Sequence, residues 1–159
     1  MNRINISDPE FALDGSEPEG FATAMARVGP GLGAKQTGAS VYELPPGQAL
    51  CPYHYEYAEE EWLLVLEGNP TVRDPDGEHR LEVMDLVFFP TGPEGAHRVQ
   101  NDSEQTARVL MWSPVIHPAA TVYPDSDKIG IWTGNKDDDV LIRRSSGVGY
   151  WDGEGPDAS

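Results

Sequence analysis

In the run Pro52-Tyr53-His54-Tyr55-Glu56-Tyr57-Ala58-Glu59-Glu60-Glu61-Trp62, one histidine and several carboxylates stand among aromatic residues, just ahead of the apolar segment Leu63-Leu64-Val65-Leu66. Imidazole nitrogen and carboxylate oxygen are donors that divalent metals take, so metal ligation is the chemistry this run suggests. Alternation along an extended chain sends His54 and Glu56 to one side and Tyr53, Tyr55 and Tyr57 to the other. Glu61 opens the next apolar run on the side shared with Leu63 and Val65, which suits a carboxylate at the mouth of an apolar interior. A further histidine, His97, follows the tight turn Gly92-Pro93-Glu94-Gly95. Glu59 and Glu60 read as solvated turn residues, and His79 and His117 as surface histidines. Cys51 lies three residues before His54, so the same alternation sends it to the opposite side. So acidic a segment does not offer the electropositive setting a thiolate nucleophile needs, and Cys51 reads as a small core residue.

The elements that must position these groups are short. From Gly38 onward, alternating or apolar runs are separated by turn chemistry, which predicts strands over 39–44, 51–57, 62–66, 71–73, 80–83, 86–89, 96–100 and 107–112, with later strands over 128–132 and 140–144. Asp76-Gly77 predicts a hairpin. Eight or so short strands at this spacing make an all-β sandwich or barrel. Residues 1–38 are rich in Gly and Pro and read as an irregular N-terminal arm, with one or two helical turns over 21–28, packed on the barrel or on a partner. Residues 39–116 are the expected barrel core, and 117–159 the C-terminal strands and tail. The aromatic tail Tyr150-Trp151-Asp152-Gly153-Glu154 is expected to dock on the body.

With 159 residues the chain fits one domain that can bury a core without disulfides, and its single cysteine cannot form an internal bridge. No run approaches the ~20 apolar residues of a membrane span, and the start shows no signal-peptide core, so the expected location is soluble and cytoplasmic. The 27 Asp and Glu against 11 Lys and Arg, a formal net charge of −16, repel phosphates, which excludes nucleic acid and anionic membrane as expected partners.

Two spacings point further. The first is Gly47, six residues, His54, one residue, Glu56, four residues, Glu61, six residues, Gly68. The second is Met84, five residues, Pro90, one residue, Gly92, four residues, His97, three residues, Asn101. Together they resemble the two motifs of the cupin superfamily, G(X)5HXH(X)3-4E(X)6G and G(X)5PXG(X)2H(X)3N, and residues 42–154 carry stretches similar to short bacterial cupins of uncharacterised function. The first glycine gap is one residue long, Glu56 stands in place of the second histidine, Met84 in place of a glycine, and Gly92 lies two residues too far from His97. The resemblance implies a double-stranded β-helix (jelly-roll) barrel. It also implies that His54, Glu56, Glu61 and His97 face a divalent ion, for which Fe, Mn, Zn and Ni suit a mixed nitrogen and oxygen set. Glu56 reads equally well as a ligand and as the mark of a weakened or lost site.

Two functions follow. One is a small-molecule metalloenzyme, dioxygenase-, isomerase- or lyase-like, in which Glu56 or Glu61 serves as a catalytic base if it is not bound to the metal. The other is a non-catalytic module binding a sugar or organic acid, with Trp62, Phe88 and Trp112 as stacking surfaces. The expected partners are a small-molecule ligand and a second copy of the chain in a homodimer, with the N-terminal arm laid across the neighbour.

Overall fold

Turn residues break the chain into segments too short to stand alone, and these satisfy their backbone groups by pairing. The computed structural model describes residues 1–13 and 15–154. Among them the strands are β1 (Ala12–Leu13), β2 (Ala24–Arg27), β3 (Thr37–Leu44), β4 (Tyr55–Glu56), β5 (Glu61–Glu67), β6 (Thr71–Asp74), β7 (Gly77–Arg80), β8 (Leu86–Phe89), β9 (Arg98–Gln100), β10 (Ala107–Pro114), β11 (Ala119–Tyr123), β12 (Lys128–Trp132) and β13 (Val140–Arg143). They form an antiparallel six-stranded sheet in the order β1-β2-β3-β10-β5-β8, a three-stranded sheet β7-β6-β9, and a four-stranded sheet β13-β12-β11-β4. The result is a jelly-roll barrel, the all-β class expected from the strand spacing.

Alternation decides what faces inward. Leu63 and Val65 of β5, Val109 and Met111 of β10, Leu44 of β3, Val72 of β6, Phe89 of β8 and Val99 of β9 meet in one buried cluster between the large sheet and the small one. Each such side chain contributes about 1.5–3 kcal/mol when fully buried. On the other face of the large sheet, Ala26, Val28 and Val41 are covered by Ile6 and Phe11 from the N-terminal segment. The four-stranded sheet is tied to the barrel by Arg73, which makes a two-pronged ion pair with Asp125 and lies 4.0 Å over the Tyr53 ring.

Several expectations change. The N-terminal arm is not merely irregular: β1 and β2 extend the large sheet beyond β3, so the expected boundary at residue 38 falls inside one sheet. Residues 24–27 are strand where helical turns were expected, because pairing with residues 40–43 overrides local propensity. The hairpin closes through Pro75-Asp76, with Gly77 already opposite Asp74, so its second strand is 77–80 instead of 80–83. Residues 119–123, outside the strands expected from sequence, are β11 and seat β4. Among the described residues the tail does not dock: Tyr150 and Trp151 pack edge to face on each other and are 84% and 77% exposed. Residues 155–159 of the expected tail lie outside the described residues. No helix among the described residues is long and apolar enough to cross a membrane.

Candidate metal centre

His54 and His97 come together through backbone pairing, although 43 positions separate them. The His54 N–H donates to the His97 carbonyl at 3.0 Å and the His97 N–H to the His54 carbonyl at 2.8 Å. Their rings are 4.6 Å apart. Glu61, the first residue of β5, reaches between them, with Oε2 3.6 Å from Nε2 of each histidine. Ligand atoms of the three residues all lie within 4.8 Å of one another.

Each imidazole is aimed from behind. His54 Nδ1 is 3.0 Å from the Pro52 carbonyl oxygen and His97 Nδ1 is 2.9 Å from the Gly95 carbonyl oxygen. A carbonyl only accepts, so both Nδ1 atoms carry hydrogen and both Nε2 atoms face Glu61, the tautomer a metal ligand needs. His97 stacks on Phe89 at 3.7 Å and is almost fully buried, yet its Nε2 has no hydrogen-bond partner among the described residues. A buried polar atom without a partner is costly, and a cation held with Glu61 would satisfy it. Gly95 makes this possible, because a Cβ there would collide with the Pro90 carbonyl oxygen. The residues therefore fit a divalent ion held by His54, Glu61 and His97.

Burial acts first to lower the His54 pKa, but hydrogen bonding to Cys51 and Glu61 and their charges outweigh it and hold the imidazolium well above its ordinary value. For His97, burial and then the His54 charge push the pKa down to about 4. Burial tends to raise Glu61, yet the His54 hydrogen bond and both imidazole charges bring it below the usual carboxylate value. Without a metal, then, the centre balances one carboxylate with one imidazolium.

Glu56, expected as a fourth ligand, does not join the three. Its carboxylate accepts from the Thr121 hydroxyl at 2.7 and 2.8 Å, and the Trp132 indole N–H donates to the same hydroxyl oxygen at 2.6 Å. The cause is register: β4 pairs with β11 so that Glu56 lies opposite Thr121. Burial pushes the Glu56 carboxyl up to about 7, against the lowering effect of the Thr121 bond. Thr121, Trp132 and Tyr123, whose ring stacks 6.0 Å from His54, carried no motif signal, because they are brought in only by the pairing of β11. Cys51 also departs from expectation. Its Sγ is 3.5 Å from His54 Nδ1, and it lines a cavity of about 290 Å3 together with His54, Glu61, Tyr42, Ser40 and Met111. Residues 51–53 are a bend, not a strand, so alternation does not apply to them. Trp62 stacks on Trp112 at 6.0 Å and lies tilted 4.7 Å from Phe88, and of the three Trp112 alone lines that cavity.

Residues 40–113 match the family model described as "Cupin domain". The chain is similar to a solved structure from Silicibacter pomeroyi, described as a sugar phosphate isomerase from a cupin superfamily, with 21% identity, a TM-score of 0.80, and coverage of 94% of this chain and 98% of that one. A protein of Acidithiobacillus ferrooxidans, provisionally assigned as a sugar phosphate isomerase, shares 22% identity over 82% of this chain and 81% of its own, with a TM-score of 0.75. The polyketide cyclase RemF from Streptomyces resistomycificus shares 25% identity over 72% and 79%, with a TM-score of 0.60. No curated protein matches the sequence.

Proposed function

We propose that this protein, whose residues 40–113 match the cupin-domain model, is a metal-dependent enzyme that moves a proton on a small oxygen-rich molecule, isomerase- or lyase-like in outcome. The observation that carries the reading is the convergence of three ligand atoms, one of them a buried Nε2 with no other partner. A divalent ion (Fe, Mn, Zn or Ni) bound by His54, Glu61 and His97 would supply Lewis-acid polarisation of a substrate oxygen and leave positions open to it. Glu56 is the base. Its carboxyl has a pKa near neutrality, is close enough to feel the charges of Glu61 and His54, and is fixed by Thr121, which is fixed in turn by Trp132. Isomerase activity named for the Silicibacter structure agrees with proton transfer, although that likeness shows the fold alone. Turnover assays on the metal-loaded protein with Glu56→Gln test the reading. Loss of ~100-fold or more in kcat at unchanged metal content supports it, and unchanged turnover, or no turnover by any metal form of the wild type, favours the non-catalytic binding module.

The same proposal places the protein in the cytoplasm, where the free thiol of Cys51 stays reduced, and makes it a homodimer. The N-terminal strands pair within their own chain, so the arm is not the bridging element. The outer side of edge strand β8 is the better face: Leu86 and Phe88 are exposed beside Trp62, next to exposed Val83 and Met84. In a chain of net charge −16 this stretch carries one acid, Asp85, whose carboxylate is turned onto the Glu82 N–H. A second copy can approach there with little repulsion. Sedimentation of Phe88→Glu as monomer against a wild-type dimer supports this; a wild-type monomer overturns it.

A further inference from the structure

Beside the metal cavity lies a second one of about 330 Å3, and the N-terminal strands build it. Its walls include Phe21, Met25 and Pro18 from the arm, and it shares Tyr42, Leu50 and Cys51 with the metal cavity. The two are neighbours on one face of one sheet. Cross-strand pairing sets Val65, Val109, Tyr42, Met25 and Ala12 opposite one another across five successive strands. Side chains at paired positions share a face, so this row runs from the barrel core, where Val65 and Val109 are fully buried, out onto the arm.

The chemistry of the walls differs along that row. The metal end offers His54, Glu61 and Ser40; the arm end offers mostly carbon. Among the described residues neither cavity is lined by lysine or arginine, and the arm cavity carries Glu17 on its wall. A phosphate or second carboxylate would meet a like charge there with no cation on the wall to offset it, the Arg98 guanidinium lying 5.5 Å from the Phe21 ring centroid but outside the lining. Each cavity alone sits near the lower end of the ~300–1,000 Å3 usual for small-molecule sites, and joined they reach the middle of that range.

We propose that the arm cavity is a substrate subsite, taking the uncharged alkyl or aryl tail of an oxyacid whose oxygen-bearing head lies at His54, Glu61 and His97. This rests on the metal reading above and adds the substrate class: an amphipathic acid, with Phe21 and Met25 as specificity-determining residues. The arm is then a working part of the site, and Tyr42, Leu50 and Cys51 are the threshold between its two halves.

The test uses the full-length protein loaded with Ni2+ and a series of 2-oxo acids from pyruvate to 2-oxooctanoate, with phosphoglycolate as the charged-tail control. Calorimetry measures the metal alone first, then each acid. Affinity is expected to rise about fourfold per added CH2, the factor equivalent to ~0.8 kcal/mol, until the cavity is filled. Phosphoglycolate should bind no better than pyruvate. Phe21→Ser and Met25→Ser should each flatten the chain-length slope while leaving Ni2+ and pyruvate affinities within twofold of wild type. Failure to bind Ni2+ overturns the metal reading and the subsite with it. If Ni2+ binds but pyruvate does not, the oxyacid head is overturned. A flat slope in the wild type, or an undiminished slope in both variants, overturns the subsite and leaves the metal centre standing.

Discussion

His54 and His97 exchange both of their backbone hydrogen bonds, and Glu61 stands 3.6 Å from the Nε2 of each. The pair is an isolated bridge between two loops, not part of a long ladder, so the centre depends on the backbone immediately around it. Each histidine is oriented by the carbonyl two residues before it, Pro52 for one and Gly95 for the other.

That dependence makes Gly95→Ala a sharp probe. The new Cβ would strike the Pro90 carbonyl and shift the carbonyl that orients His97. The expected result is destabilisation of about 1–3 kcal/mol in urea unfolding, the range for overpacking, with at least a tenfold loss of divalent-ion affinity by calorimetry.

Metal binding should release protons. His54 holds its proton well above its ordinary pKa because Cys51 and Glu61 outweigh burial, and a cation at the centre must displace it. Affinity should therefore rise with pH, by about tenfold per unit around neutrality, and calorimetry in buffers of different ionisation enthalpy should detect the released proton. For the metal-free protein the sign is opposite. A folded pKa above the unfolded one gives stability that is complete below about 6.5 and is lost as pH rises through the folded value.

Glu56 gives a stability signature of its own. Burial raises its folded pKa from 4.5 to about 7, so over that window the folded state binds more protons than the unfolded one and stability falls as pH rises. Glu56→Gln, which keeps an acceptor for Thr121, removes this loss. Its gain over wild type should be near zero at pH 4 and grow to about 3 kcal/mol by pH 8, measured by denaturant midpoints. An equal difference at both pH values would show that the carboxyl is not held up by burial.

Met84 occupies the position where the related motif has glycine, and its backbone is left-handed, at φ 76°. A left-handed backbone at a residue with a Cβ stores strain there, and the side chain is 70% exposed and packs little. Met84→Gly should stabilise the protein by about 0.5–1 kcal/mol in thermal or urea unfolding without changing metal affinity.

The spacings around His54, Glu61 and His97 made those residues legible from sequence because a strand pair and one bridge bring them together in any barrel of this register. Glu56 was legible as a carboxylate near the centre but not as a partner of Thr121, which depends on how β11 is laid against β4, 65 positions away. Cys51 was misplaced for a local reason: alternation was extended into a bend that begins before β4. The arm was misread because β1 and β2 are two and four residues long and carry no periodicity of their own; pairing of β2 with β3, and of β1 with β2, makes them strands. Tyr150 and Trp151 were expected to find a surface, and the described residues do not supply one.

The central claim is that His54, Glu61 and His97 form a metal centre, and the most direct measurement is divalent-ion stoichiometry and affinity for wild type, His97→Ala and Glu61→Gln under identical conditions. One ion per chain in the wild type, with affinity reduced ~100-fold or more in both variants while the fold persists by circular dichroism, is the expected result. No stoichiometric ion in the wild type, or equal affinity in all three proteins, would contradict it.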